Sequence, residues 1–174
     1  MLNKRIAALA ALALVGAARA ACAQLELQKA QWQLARWDNG RPKEAENISH
    51  LSLTPGVPSR ARISARLTLL SRGGAVEGRL LRYSIAAKIA SLENPQEAAW
   101  AVPFGIGEKK IPKIGPNRAH ETQIDLSAPV RRYLNQLHRS GYWPQEIKLQ
   151  VMLEPRRGET GPIQTIESSV SVKK

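Results

Sequence analysis

The stretch that decides the fold is RARISARLTL, residues 60–69. Small or apolar side chains alternate there with polar ones over ten residues. The first set is Ala61, Ile63, Ala65, Leu67 and Leu69, and the second is Arg60, Arg62, Ser64, Arg66 and Thr68. Successive side chains of an extended strand point to opposite faces, so this period of two predicts a β-strand with one buried face.

The same alternation recurs later in the chain, in residues 81–89 and 147–153. Arg72-Gly73-Gly74 lies between the first two runs, and glycine pairs are typical of tight turns. We therefore predict a hairpin that joins residues 60–69 to residues 81–89.

Weaker strand patterns fill most of the remaining chain. They occupy residues 25–37, 48–53, 99–106, 121–126 and 163–172. Pro103 marks one of these runs as an edge or irregular strand, because proline cannot donate a ladder hydrogen bond. Residues 105–120 contain several Lys and Arg without periodicity and predict a long basic loop. Together the runs predict an all-β fold, an antiparallel β-sandwich of about seven to eight strands.

One helix interrupts the strands, near residues 128–140. Ser127 is a good N-cap residue, Pro129 falls in the first turn, and Gly141 stands at the C′ position. The spacing i, i+3, i+4, i+7 predicts a single buried face. That face consists of Val130, Tyr133, Leu134 and Leu137.

The first twenty residues have the pattern of a signal peptide. Lys4 and Arg5 precede 13 apolar or small residues, too few to span a bilayer. Ala-x-Ala sites predict cleavage after residue 20 or residue 23, which leaves a single β-sandwich domain over residues 24–174. We predict export to the periplasm or secretion, with no transmembrane span in the mature chain.

Cys22 raises the alternative of a lipoprotein. Ala20-Ala21-Cys22 resembles the end of a lipobox, but Arg19 occupies the position where a lipobox has leucine, which disfavours lipidation. The whole chain carries 26 Lys plus Arg and 14 Asp plus Glu, a net charge of +12. Removal of the signal takes away three basic residues and leaves a net charge of +9 on the mature chain.

Composition excludes several classes of site. One Cys excludes an intramolecular disulfide framework and a Cys-rich zinc site, and the three His show no ligand spacing. The chain has no Gly-x-Ser-x-Gly elbow and no phosphate-binding loop ending in Lys-Ser or Lys-Thr. We therefore predict no catalytic residue, no metal and no cofactor, and a protein that is not an enzyme.

The basic residues allow two interpretations. Arg60, Arg62 and Arg66 share the outer face of one predicted strand, and Arg82 and Lys88 would lie opposite them in the predicted hairpin. Such a stripe could bind an anionic polymer. Cations on outer strands also protect sheets from aggregation, and we favour that interpretation. Aromatic residues are not interleaved with the cations, which argues against nucleic acid as a partner.

The C-terminal half resembles a known domain. Gln123-Ile124-Asp125-Leu126-Ser127, the helix with Tyr133-Leu134, the turn Gly141-Tyr142-Trp143-Pro144 and the strand that ends at Glu154-Pro155 carry the similarity. They resemble the C-terminal β-sandwich domain of tyrosinases and plant polyphenol oxidases, over residues 63–172. The resemblance implies a structural role for Asp125.

In that family the sandwich covers a copper domain and can shield its active site with a bulky side chain. The copper domain is absent here, since three His cannot supply its six ligands. The resemblance therefore implies a non-catalytic accessory or protein-binding domain. Its partner would be another envelope or secreted protein, with a separately encoded copper oxidase as one candidate. Phe104, the only Phe, is the candidate partner-binding residue, although a core or edge position would also explain it.

Overall fold

The computed structural model describes residues 24–38, 41–54, 61–155 and 162–173, and for Asp38, Arg41 and Pro42 it describes the backbone alone. The predicted signal peptide (residues 1–20), both cleavage sites, Cys22 and Arg60 lie outside the described residues. In this part of the chain the elements are β1 (Gln24–Ala35), β2 (Trp37–Asp38), β3 (Arg41–Pro42), β4 (Glu46–Asn47), β5 (His50–Ser52), β6 (Arg62–Arg72), β7 (Arg79–Ser91), β8 (Ala98–Trp100), β9 (Gly105–Ile111), β10 (Ala119–Asp125), α1 (Ser127–Arg139), β11 (Tyr142–Leu153) and β12 (Gln164–Lys173).

Two sheets make up the fold. The four-stranded sheet is antiparallel and has the strand order β10-β6-β1-β4. The six-stranded sheet has the order β5-β12-β11-β7, and both β8 and β9 pair with the remaining edge of β7. The β5–β12 pair is parallel, and the other pairs of this sheet are antiparallel. A two-stranded ribbon of β2 and β3 stands apart from both sheets.

The prediction of an all-β sandwich is confirmed. The described residues form twelve strands rather than seven or eight. Five of these strands are only two or three residues long, which is too short to show an alternation in the sequence. Seven strands have at least seven residues, and these correspond to the number that the alternation predicted.

One hydrophobic core lies between the two sheets. Its members come from both sheets, and on β6 they are the residues that the alternation assigned to the buried face: Ile63, Ala65, Leu67 and Leu69. Trp32 on β1 donates its indole N–H to the carbonyl of Ser168 on β12, at 3.0 Å. Gln164 on β12 also bonds the backbone of β1, at Leu27 N (2.8 Å) and Leu25 O (2.7 Å). These bonds fix one sheet against the other.

The predicted hairpin at Gly73-Gly74 is wrong. β6 belongs to the four-stranded sheet and β7 to the six-stranded sheet, so residues 73–78 cross between sheets. Gly73 and Gly78 both have positive φ, 76° and 68°, and Val76 between them pairs with Ile114. Two consecutive strands show the same alternation whether they pair in one sheet or lie in two sheets on opposite sides of a core. The pattern alone therefore cannot distinguish a hairpin from a crossing between sheets.

The predicted basic loop is also wrong in its first part. Residues 105–111 form β9, which pairs with β7 from Gly105↔Ile85 to Ile111↔Arg79. The irregular segment is confined to residues 112–118. The prediction of an edge or irregular strand around Pro103 is confirmed, since β8 ends before this proline and β9 begins after it.

Helix α1 connects the two sheets and begins one residue earlier than predicted. The N-cap residue is Leu126, so the prediction of Ser127 as N-cap is wrong. Just before it, the Asp125 carboxylate accepts the backbone N–H of Ser127, the first residue of the helix, at 3.0 Å. The Ser127 hydroxyl is buried and bonds both backbone groups of Ile63, at 3.0 and 3.1 Å. Gly141 has φ of 77° after the helix end, as a C′ glycine requires.

Acid is expected to weaken the start of α1 through Asp125. Burial raises the pKa of Asp125, but hydrogen bonds from Ser127 and the charge of Arg62 outweigh it, so the pKa lies below its ordinary value. Because the pKa of Asp125 is lower in the folded state than in the unfolded state, where it is about 4, the ionised carboxylate stabilises the fold above about pH 4. This stabilisation is lost as the pH falls through the pKa of the folded state. Asp125→Asn should therefore destabilise at neutral pH and lose its effect progressively below about pH 4.

Urea denaturation of the two proteins between neutral pH and pH 2.5 measures this difference. Glu97→Gln is the control, since Glu97 is exposed and forms no ion pair within the described residues. Parallel curves for wild type and Asp125→Asn over the whole range would contradict the role given to Asp125.

Candidate partner-binding surface

Phe104 is held between the six-stranded sheet and the helix. Its backbone N–H donates to Ile85 O of β7 at 2.9 Å. Its ring lies flat on that of Tyr133 of α1, with ring centroids 4.0 Å apart and an interplanar angle of 6°. Both residues are half-buried, and burial raises the pKa of Tyr133. The stack is therefore partly exposed at the protein surface.

A surface pocket of about 290 Å³ opens beside this stack. Its walls are Val102, Pro103, Phe104, Pro129, Arg132, Tyr133 and Gln136. Val102 stands at its rim with 83% of its surface exposed. The pocket combines two aromatic rings and apolar walls with a guanidinium and an amide at one side.

Glycine at position 105 permits the close approach that forms this pocket. A Cβ there would lie 3.0 Å from Ile85 Cδ1 and 3.5 Å from Pro129 Cβ. Because glycine leaves this space free, the first turn of α1 packs against the beginning of β9. The helix thereby brings Tyr133 to Phe104.

Two further apolar side chains lie on the outer face of the six-stranded sheet. Trp100 pairs across with Lys88, and Ile106 with Ser84, both on the face of β7 that points away from the core. Lys148 lies over the Trp100 ring at 4.9 Å, whereas Ile106 is 81% exposed. The segment around Phe104 thus exposes apolar groups both at the pocket rim and on the outer face.

The arginines proposed to bind an anionic polymer form ion pairs. Arg62 bonds Asp125 at 3.2 Å, and Arg66 faces Glu121 at 3.7 Å. With the Gln33 amide oriented so that its oxygen faces Arg66, Arg66 also donates to it from Nε and Nη2, at 3.0 and 2.9 Å. Arg60 lies outside the described residues. The two described arginines do share the outer face of β6, but their charges face carboxylates or an amide.

Arg82 and Lys88 do not lie opposite these arginines as expected. They belong to β7, in the other sheet, and Arg82 bonds both Glu108 (2.9 Å) and Glu154 (2.5 Å). Among the described side chains, several cations form no ion pair: Lys109 and Lys110 on β9, Arg118 before β10, and Arg132 and Arg139 on α1. The cationic stripe predicted across β6 and β7 is therefore not formed.

The histidines are distributed over separate elements. His50 lies on β5, His120 on β10 and His138 on α1, where its ring contacts Trp143 edge-on at 6.4 Å. Within the described ranges, no group of three or more His, Cys, Asp or Glu side chains is placed to hold a metal ion. None of the described helices is long and apolar enough to cross a membrane.

A second pocket was not indicated by any sequence pattern. It measures about 270 Å³ and is lined by Ala90, Ser91, Pro95, Trp143, Pro144, Gln145 and Val172. The buried indole N–H of Trp143 has no hydrogen-bond partner among the described groups. Pro95, Gln145 and Val172 come from separate segments, so sequence proximity gives no signal of their contact.

Comparison with known proteins leaves the family open. No protein-family model matches this chain, and no curated protein matches it. Among solved structures, a crystal structure of a protein from Archaeoglobus fulgidus aligns over 86% of this chain and 99% of that chain, with 12% identity and a TM-score of 0.34.

Proposed function

We propose that this chain is an exported, non-catalytic accessory domain that binds another protein, with Phe104 at the centre of the contact. The observation that carries the proposal is the open pocket beside the Phe104–Tyr133 stack, with Val102 exposed at its rim. Aromatic residues and arginine that line a concave, partly desolvated site are typical of the residues that dominate protein interfaces.

The pocket measures about 290 Å³, is open to solvent and lies beside two stacked aromatic rings, so a side chain of a protein partner could insert into it. Arg132, which has no ion pair among the described residues, could bind a carboxylate next to that side chain.

The resemblance to the C-terminal domain of tyrosinases supports an accessory role. It is consistent with a chain that acts on a separate copper oxidase in the envelope, and the N-terminal signal pattern is consistent with export. An anionic polymer is the alternative partner. The ion pairs of Arg62 and Arg66 disfavour it at those residues, because a polymer would first have to displace a carboxylate from each.

Photo-crosslinking tests the proposed contact. Benzoylphenylalanine in place of Val102 is expected to give a discrete adduct in the native envelope, which mass spectrometry identifies. The same group in place of Ile163, an exposed apolar residue on another part of the surface, is the control. Phe104→Ala should lower the adduct yield about tenfold, the loss expected for a central aromatic contact.

A melting curve confirms that Phe104→Ala remains folded before the yields are compared. Adducts of equal yield and composition from positions 102 and 163 would contradict the proposal, and so would an adduct that Phe104→Ala leaves unchanged. A copper oxidase in the adduct would support the accessory role that the resemblance implies.

A further inference from the structure

Strand β9 is a seven-residue edge of the six-stranded sheet that is unpaired among the described residues. One side of it pairs with β7 over all seven residues, and no described strand pairs with its other side. The opposite edge of this sheet, β5, has only three residues. An unpaired strand of this length offers a row of backbone N–H and C=O groups to an extended segment of another chain.

The side chains of β9 give this edge a definite chemistry. Ile106 is exposed on the outer face, and Lys110 follows on the same face four residues later. Glu108 between them is held by Arg82 at 2.9 Å. Lys109 and Lys110 have no ion pair among the described residues, so the edge has a net positive charge.

We propose that β9 accepts an added antiparallel strand from a partner protein, an extended segment with acidic residues opposite Lys109 and Lys110 and an apolar residue opposite Ile106. This inference rests on the proposed protein-binding function and names the partner segment. Residues on one face of paired strands recur every two positions, so the acid opposite Lys110 precedes the apolar residue by four positions.

The direction of the added strand connects it to the pocket. An antiparallel strand that passes Lys110 first and Ile106 last would continue towards Phe104, two residues before Ile106 in the sequence. Two strand residues span about 7 Å, so the segment would continue past the backbone of Phe104, whose ring stacks on Tyr133. The edge and the pocket are therefore adjacent along the chain.

A second copy of this chain fits the edge less well. Symmetric antiparallel pairing of two β9 strands over all seven residues is centred on Glu108 and places this carboxylate directly opposite its copy, which destabilises the full-length strand pair. The charge of the edge complements an acidic segment instead. Self-association is therefore an outcome for the experiment to exclude.

A labelled peptide tests the inference. Acetyl-Thr-Asp-Glu-Thr-Thr-Ile-Thr-amide is expected to bind the purified protein in fluorescence anisotropy, and a scrambled peptide of the same composition should bind about tenfold more weakly. Lys109→Glu/Lys110→Glu should weaken binding by about tenfold or more. The control Lys29→Glu/Arg139→Glu changes the net charge equally at exposed positions away from β9 and should leave binding unchanged.

Backbone methylation gives a readout that needs no variant of the protein. Methyl groups placed on one peptide nitrogen at a time should abolish binding at every second residue, because only alternate N–H groups of an added strand face β9. Loss at every position, or at none, would overturn strand addition. Equal binding of the scrambled and designed peptides would indicate a general anion-binding surface and would also overturn strand addition. The same conclusion would follow if heparin displaced the two peptides equally well.

Sedimentation of the protein alone completes the test. A concentration-dependent dimer that Lys109→Glu/Lys110→Glu abolishes would assign the edge to a second copy and overturn the inference. If the peptide fails while the Phe104-dependent adduct at position 102 persists, strand addition is wrong and the protein-binding function stands. If the peptide binds as described and that adduct is absent, strand addition stands and the contact centred on Phe104 is wrong.

Discussion

Trp32→Ala is expected to lower the free energy of unfolding by about 3–5 kcal/mol, the range for removal of a buried tryptophan. Trp32 is 1% exposed and lies in the core between the sheets. Its indole also donates to Ser168 O at 3.0 Å, so the substitution removes both a large apolar contact and a bond from one sheet to the other. Urea denaturation measures the change, with a midpoint shift at constant slope.

Trp32→Phe separates the two contributions. Phenylalanine keeps much of the apolar surface but leaves the Ser168 carbonyl without its donor, so we expect a loss of about 1–3 kcal/mol. Lys29→Ala, at an exposed position on the same strand, is the control and should change stability by less than about 0.5 kcal/mol. A Trp32→Ala effect no larger than that of Lys29→Ala would mean that the sheets are held together elsewhere.

Strands with one fully buried face were predictable from the sequence. In β6 and in residues 147–153 of β11 every second side chain is buried, so the alternation is uninterrupted there, whereas the first part of β11 has a register shift between Pro144 and Glu146. β1 gives a weaker signal for a physical reason, since its register shifts between Leu27 and Lys29. Leu25 and Leu27 face the core in one phase, and Trp32 and Leu34 in the other, so no single period of two covers the strand.

Strand partners were not predictable in the same way. Alternation shows that a strand has a buried face but does not identify its neighbour. The glycines at positions 73 and 74 are compatible with a hairpin and with a crossing between sheets, and the structure has the crossing. The strand partners distinguish the two, since β6 pairs with β1 and β10, whereas β7 pairs with β8, β9 and β11. All of these contacts, like that of Val76 with Ile114, are absent from any local pattern.

The candidate site was predictable only in part. Phe104 stands out in the sequence as the only phenylalanine. Tyr133 was assigned to the buried face of the helix, but nothing in the sequence pairs it with Phe104. The pairing depends on Gly105, which lets the first turn of the helix approach β9. Contacts that depend on the packing of distant elements leave no local pattern.

Gly107→Ala is expected to destabilise the fold by about 1–3 kcal/mol, the usual cost of forcing extra volume into a packed site. The Tyr83 ring lies directly over Gly107, and a Cβ at this position would overlap its Cζ and Oη and stand 2.9 Å from Cε1. Glycine is a poor strand former, so without the ring the same substitution would stabilise β9. A loss of stability in Gly107→Ala would therefore indicate that the Tyr83 ring contacts position 107, and a gain would indicate that it does not.

A double-mutant cycle isolates the contact between Tyr83 and position 107. In a Tyr83→Ala background, Gly107→Ala should cost less than about 0.5 kcal/mol, which gives a coupling energy of about 0.5 kcal/mol or more. Gly115→Ala is the matched control, since its Cβ would meet only the flexible Arg118 side chain, at 3.4 Å. Additive effects of the two changes would contradict the contact. Coupling would explain why residues 105–111 form a strand despite two glycines, because an aromatic ring from the neighbouring strand covers the surface that glycine leaves bare.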